Sequence, residues 1–260
     1  MKCRICSSES NEIFSAKILN KHLIKYYHCP KCDFLQTEDP FWLNEAYEAA
    51  IGITDTGIIK RNQLFAKRSS AVISSFYNSN KKFLDFAGGY GIFVRMMRDF
   101  GFDFYWYDPF ADNLFAKGFE YNKQDGVLLV TAFECFEHFA DPISEINKML
   151  DISENIIFST RLFKGTPPKP SDWWYYSLDS GQHISLYSRK TLKYLASKFD
   201  LHLNSDNKAF HMLSKEKHND LLFKVIIKLS DLNLTKLFQF GLKSKTEADN
   251  EFLSKKNKNN

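Results

Sequence analysis

No window of the 260-residue chain approaches the run of about 18 apolar residues that a membrane-spanning helix needs. The opening residues Met1-Lys2-Cys3-Arg4 lead into polar sequence, without the apolar core of a signal peptide, so the expected compartment is the cytoplasm. An excess of one charge is also missing. The 35 Lys and Arg against 31 Asp and Glu leave a net +4, too little to argue for nucleic acid by itself. There is no internal repeat, and neither a collagen-like nor a coiled-coil period. What remains is an ordinary globular balance, 44% hydrophobic and 25% charged, enough for a core that needs no disulfide staples. The length fits one large domain, or one with a small attachment. The 25 Phe reflect a bias toward Phe, Lys and Asn and carry no functional weight.

Cysteines are few, five in all, but four of them fall in two pairs: Cys3 with Cys6 and Cys29 with Cys32. Two residues between thiolates let one tight turn aim both sulfurs at a single ion, and two such turns complete a tetrahedral sulfur shell suited to structural zinc. Two disulfides or free thiols are the rival readings, and a reducing cytoplasm disfavours the first. A four-thiolate site is closed and has no open position for catalysis. His22 and His28 are bystanders in this reading, and Cys135 is a buried apolar side chain.

Along the chain, Phe41 to Tyr77 carries helix-like apolar spacing, clearest from Ile58 to Phe76. The pattern then changes. Lys82–Phe86 is a short strand, followed by Ala87-Gly88-Gly89-Tyr90-Gly91 and a helix from Ile92 that Gly101 stops. Further strands are expected at Asp103–Tyr107, Val127–Ala132 and Asn155–Ser159, with a helix from Pro142 to Leu150. Strands alternating with helices imply an α/β fold, a parallel sheet with helices on both faces. A loop rich in proline and aromatics runs from Thr166. Arg189–Phe199 is helix, and Leu201–Leu213 holds two closing strands.

The glycine turn carries the chemistry. A strand that runs into glycines and then a helix lets backbone N–H groups approach a ligand without a Cβ in the way. The third glycine of a dinucleotide fingerprint is absent, and so is the Gly-Lys-Ser/Thr of a P-loop. Asp85, at the end of the first strand, can accept a hydrogen bond from a cationic ammonium group. Asp108, at the end of the next, can take both hydroxyls of a ribose.

Asp85-Phe86-Ala87-Gly88-Gly89-Tyr90-Gly91 resembles the Asp-x-Gly-x-Gly-x-Gly motif of the class I S-adenosylmethionine-dependent methyltransferases, with Ala87 in place of the first glycine. Asp108 matches the acid that ends their second strand. Thr131 to Pro142 resembles the segment after their fourth strand, where a Glu-His pair precedes Asp-Pro; Leu128 stands where the family often has Asp. The resemblance covers about Lys81 to Leu213. It implies a Rossmann-like sheet and S-adenosylmethionine held by Asp85, Ala87, Gly88, Gly89, Gly91, Asp108, Phe133 and Glu134. The cysteine pairs ahead of this domain, with Trp173-Trp174-Tyr175-Tyr176 and Gly181 to Ser188 behind it, are similar to a bacterial group tied to sugar and surface-polysaccharide pathways, including sugar C-methyltransferases of deoxysugar biosynthesis.

Under that reading the acceptor is a small, sugar-containing molecule. Candidate proton acceptors are His183, His138 and Glu137, with His183 favoured for its polar, loop-borne setting. Trp173, Trp174, Tyr175 and Tyr176 are candidate ring-stacking residues. The loop from Thr166 to Tyr187 is expected to cover the site, with Gly165 and Gly181 as hinges. The expected organisation is a zinc module over 1–40, a helical connector over 41–80, the methyltransferase domain over 81–215, a C-terminal helical segment over 216–249 and a disordered tail over 250–260. Two other functions compete. An rRNA methyltransferase would grip RNA with the zinc module, but only Lys17, Lys21 and Lys25 lie between the cysteine pairs, so nucleic acid is disfavoured. A non-catalytic cofactor-binding module is the other.

Overall fold

The computed structural model describes residues 1–47, 55–123, 126–239 and 241–258. In chain order its elements are β1 (Asn11–Ile18), β2 (His22–His28), β3 (Leu35–Thr37), α1 (Leu43–Ala46), α2 (Ile58–Phe76), β4 (Lys82–Phe86), α3 (Ile92–Asp99), β5 (Asp103–Tyr107), β6 (Val127–Ala132), α4 (Pro142–Leu150), β7 (Ile156–Ser159), β8 (Ser185–Leu186), α5 (Arg189–Lys198), β9 (His202–Ser205), β10 (Phe210–Ser214), α6 (Asp220–Asp231) and α7 (Thr246–Lys258). The chain divides into two compact units: residues 1–54 with 133–217, and residues 55–132 with 218–260. The expected connector over 41–80 is helical in α1 and α2, and its stretch 48–54 lies outside the described residues.

In the first unit β1, β2 and β3 form an antiparallel meander. Every residue of β3 is buried, so its free edge needs a partner. Strand β8 supplies it, pairing Leu35 with Leu186 and Gln36 with Ser185. The N-terminal module is therefore not a separate attachment over 1–40. Its sheet is completed by a strand from far along the chain. Beneath it Ile18, Ile24, Tyr26, Trp42, Tyr176 and Ile184 form one apolar cluster. Gly181 belongs to that packing: at φ +65° a Cβ would press on Ile18, Leu19 and Trp42, and its carbonyl accepts from Trp42 Nε1 at 2.8 Å. Packing restrains this position, one of the two expected as hinges. Arg4 ties the module down further, donating to the carbonyls of Thr37, Glu38 and Ile184. The same unit holds β7, β10 and β9, with β10 antiparallel to both β7 and β9. Two closing strands were expected, and the tight Asp206–Asn207 turn between them forces the reversal.

In the second unit β5, β4 and β6 form a parallel sheet with β4 central. Phe83 of β4 stacks on Phe104 and meets Phe102 edge-on. Helices α2 and α3 pack on each other, and α6 packs on α2. The disordered tail expected from residue 250 is instead helix through Lys258, with 259–260 outside the described residues. A buried ion pair explains the difference. Asp249 accepts from Arg98 at 2.7 and 2.8 Å and from Arg95 at 2.9 Å. Acids in the first turn of α7 and Lys255, Lys256 and Lys258 in the last also suit the helix dipole.

Candidate functional site

The glycine turn lies in the second unit, at the carboxyl end of β4. Its backbone is unusual at three positions: Ala87, Gly89 and Gly91 have φ of +57°, +51° and +84°. Glycine occupies this region freely; alanine there costs on the order of 1 kcal/mol. A Cβ at Gly88 would collide with Trp106 and lie 3.0 Å from Asp85 Oδ2, whereas one at Gly89 would meet nothing within 4 Å. The turn is thus packed tightly from below and open above, as a backbone cradle for a ligand requires. Trp106 braces it, donating from Nε1 to the Gly89 carbonyl at 2.8 Å.

Two carboxylates flank the turn. Asp85 is buried and accepts from the Thr131 hydroxyl at 2.7 Å. Burial pushes its carboxyl up to about 7; the Thr131 bond opposes the shift and the nearby charge of Asp108 adds to it. Asp108 Oδ2 accepts from Gly89 N–H at 2.9 Å, and Oδ1 accepts from the N–H groups of Phe110 and Ala111. Asp108 therefore also pins the turn and its own loop, a role the sequence did not show. Oδ1 already accepts two donors and Oδ2 one, so Oδ2 keeps capacity for a ribose hydroxyl. These residues fit the adenosyl cofactor: an open glycine cradle, a carboxylate for a cationic group and a second carboxylate with an oxygen open to a ribose hydroxyl.

A different cluster lies in the first unit. Glu137 and His138 sit in a short helical turn after β6, and His183 comes from the segment before β8. One donor atom from each lies within 4.8 Å of the others. The imidazole rings meet nearly perpendicular, with centroids 4.9 Å apart. His183 Nδ1 is 2.6 Å from the Tyr175 carbonyl, so it carries the proton and leaves Nε2 as a lone pair. His138 donates to the Gln182 carbonyl and accepts at Nδ1 from the Tyr47 hydroxyl at 2.9 Å. Glu137 is buried, and its Oε2 has no hydrogen-bond partner. Burial, and then the Glu134 carboxylate, push its carboxyl up to about 8. Burial lowers His138 to about 3 and His183 to about 4. At neutral pH the cluster therefore holds two neutral imidazoles beside a protonated acid.

The other expected site residues separate into groups. Phe133 and Glu134 belong to the first unit, and the glycine turn to the second. Phe133 stacks on Phe210, and Glu134 exchanges two 2.8 Å hydrogen bonds with Ser159 that hold it at φ +52°. Of the aromatic run, Tyr175 and Tyr176 are buried; Tyr176 also donates to the Pro168 carbonyl at 2.6 Å, so it is scaffold. Trp173 is half-buried, and Trp174 is 72% exposed with the Arg161 guanidinium 5.2 Å from its ring centre. Tyr47, Ser159 and Arg161 went unmarked in the sequence, since no local motif carries them. Ser159 ends β7 and Arg161 follows it by two residues, the one positional signal they carry.

The four cysteines converge. Cys3 Sγ lies 3.5 Å from Cys32 Sγ and Cys6 Sγ 3.4 Å from Cys29 Sγ, with all four sulfurs within 4.8 Å of one another. Zinc–sulfur bonds of about 2.3 Å in a tetrahedron set sulfur–sulfur edges near 3.8 Å, so the cluster fits the ion. The Ile5 N–H points at Cys3 Sγ, 3.4 Å away.

Comparison with known proteins shows the family. Residues 60–205, more than half of the chain, match a family model described as a methyltransferase domain. Similar solved structures include an O-methyltransferase family protein from Burkholderia thailandensis (14% identity, TM-score 0.42, covering 68% of each chain). CalO1, a methyltransferase in calicheamicin biosynthesis, is 11% identical with TM-score 0.47, over 68% of this chain and 60% of its own. Human N-acetylserotonin methyltransferase is 13% identical with TM-score 0.42, over 68% and 66%. A comparison with curated proteins gave no match. With an open glycine turn flanked by Asp85 and Asp108, and a family match over more than half its length, the chain belongs to the methyltransferase domain family and is an S-adenosylmethionine-dependent methyltransferase.

Proposed function

We propose that the enzyme methylates a small, sugar-containing acceptor of a surface-polysaccharide or deoxysugar pathway, with His183 taking the acceptor's proton. The observation that carries this is the cluster of Glu137, His138 and His183. It offers a free imidazole lone pair next to a buried acid, on a chain whose family transfers methyl groups. Bound S-adenosylmethionine supplies an already activated methyl group. The protein's tasks are therefore to orient the acceptor and to move one proton.

Asp85, Ala87, Gly88, Gly89, Gly91 and Asp108 hold the cofactor in this reading. His183 Nε2 accepts the proton while the Tyr175 carbonyl fixes the ring. Once ionised, through about pH 8, Glu137 stabilises the imidazolium that forms, as a carboxylate beside a catalytic histidine does. Tyr47 and the Gln182 carbonyl hold the second ring. An exposed indole with a guanidinium over it suits a sugar ring that carries phosphate, which supports a nucleotide-linked sugar as the acceptor. Zinc bound by Cys3, Cys6, Cys29 and Cys32 is structural. It anchors the sheet whose last strand, β8, begins two residues after His183. Screening sugar nucleotides and glycans with a labelled methyl donor tests the proposal. Transfer to any of them supports it, and transfer only to RNA overturns it.

A further inference from the structure

Helix α6 is apolar on both sides. At 3.6 residues per turn, Phe223, Ile226, Ile227 and Ser230 share one face, which is buried. Leu221 and Val225 fall on the opposite face and Leu222 on its flank, all three exposed, Leu221 at 73%. Leu232, just past the helix end, continues their row at 61% exposure, and Leu234 and Leu237 follow in the next turn, also exposed. A group of exposed apolar side chains on a fixed helix, rimmed by charged residues, marks a contact surface. The element is fixed, not frayed. Asn219 caps its first turn, Arg68 of α2 holds Asp231 with two 2.8 Å hydrogen bonds, and Lys67 reaches Asn233 at 2.6 Å.

Charge decides what covers it. The two carboxylates of α6 are engaged, Asp220 by Lys224 at 2.6 Å and Asp231 by Arg68. Lys228 and Lys236 have no carboxylate partner among the described residues. A second copy docked by two-fold symmetry would set this face against itself, lysines included, with no free acid to meet them. An anionic lipid surface meets both features, accepting leucines at the boundary of headgroup and acyl chain and pairing the ammonium groups with phosphates. No helix among the described residues is long and apolar enough to cross a membrane, so the contact is with the interface.

We propose that α6 and the turn through Leu237 dock the enzyme on an anionic bilayer, with Leu221, Val225, Leu232 and Leu237 entering the interface and Lys228 and Lys236 binding lipid phosphate. The full chain should sediment with vesicles of phosphatidylcholine mixed with phosphatidylglycerol, but not with phosphatidylcholine alone, and raised salt should release it. The double variant Lys228→Glu/Lys236→Glu should bind those vesicles roughly tenfold or more weakly. The triple variant Leu221→Gln/Val225→Gln/Leu232→Gln should lose binding similarly, with melting temperature and cofactor affinity unchanged. The lysine pair is exposed, so it keeps the test decisive if the triple variant folds poorly. Absence of wild-type binding to anionic vesicles, or equal binding by the charge-reversed variant, overturns the proposal. So does a solution dimer that the leucine variant breaks.

Discussion

Asp85 sets a stability problem that the cofactor should solve. Its carboxyl stands near 7 in the free protein, against 3.8 ordinarily, chiefly because it is buried. The folded state therefore holds this proton more tightly than the unfolded chain does. The resulting stabilisation is complete below about pH 4 and is lost as pH rises through 7. About three units at 1.36 kcal/mol each is about 4 kcal/mol, and Asp85 is only 3% exposed, so little of it is screened away. Asp85→Asn keeps the shape and the acceptor for the Thr131 hydroxyl but cannot ionise. At pH 8 it should be more stable than wild type by about 2–4 kcal/mol, and near pH 4 the two should converge. Denaturant titrations at both pH values measure this. The same variant should bind S-adenosylmethionine poorly, because the ammonium loses its carboxylate. In wild type, cofactor affinity should fall toward tenfold per pH unit below 7. Calorimetry in two buffers of different ionisation enthalpy should show proton release. An Asp85→Asn protein less stable than wild type at pH 8, with full cofactor affinity, would refute the reasoning: the carboxylate would then be a structural asset and no part of cofactor recognition.

Other consequences follow from the same geometry. His183→Ala should lower turnover by about 10²–10⁴ while cofactor affinity and melting temperature hold; a folded variant with wild-type turnover removes His183 from the mechanism. Activity should rise through about pH 8 as Glu137 ionises among Glu134, Tyr175, Tyr47 and the two histidines, and a pH–rate profile of Glu137→Gln should lose that limb. Cys29→Ser should abolish a zinc stoichiometry of about one per chain, expected from the closed four-thiolate site. It should also lower turnover by loosening β8 and His183, with cofactor affinity kept. Metal analysis and kinetics on one preparation check both. Ala87→Gly should relieve the positive φ and stabilise the protein by up to about 1 kcal/mol, as seen in thermal melts.

The parts of the site that were legible in the sequence are those made by neighbouring residues. Asp85 through Gly91 announces itself because strand end, turn and helix start follow one another, and the pair spacing of the cysteines is equally local. Asp108 was found by its place at a strand end, but not its bonds to Gly89, Phe110 and Ala111, which depend on how the loop folds back. His138 and His183 were each marked. Their meeting was not, because it depends on the two-residue strand β8 pairing with Leu35 and Gln36, too short a segment to carry any periodicity. Tyr175 and Tyr176 looked available to a ligand because four adjacent aromatics cannot all point inward. Tertiary packing chose which two do, burying both tyrosines and leaving Trp174 outside. The polar composition after residue 250 hid the helix, since the Arg98–Asp249 pair that anchors it links residues far apart in sequence.

Incubating the purified enzyme with methyl-labelled S-adenosylmethionine and a panel of sugar nucleotides, with Asp108→Ala and His183→Ala in parallel, tests methyl transfer to a sugar most directly. Label should enter at least one sugar nucleotide with the wild type. It should fall roughly tenfold or more at limiting cofactor with Asp108→Ala, and about 10²-fold or more with His183→Ala at saturating cofactor. Tight cofactor binding by the wild type with no label in any sugar nucleotide or glycan would contradict the assignment.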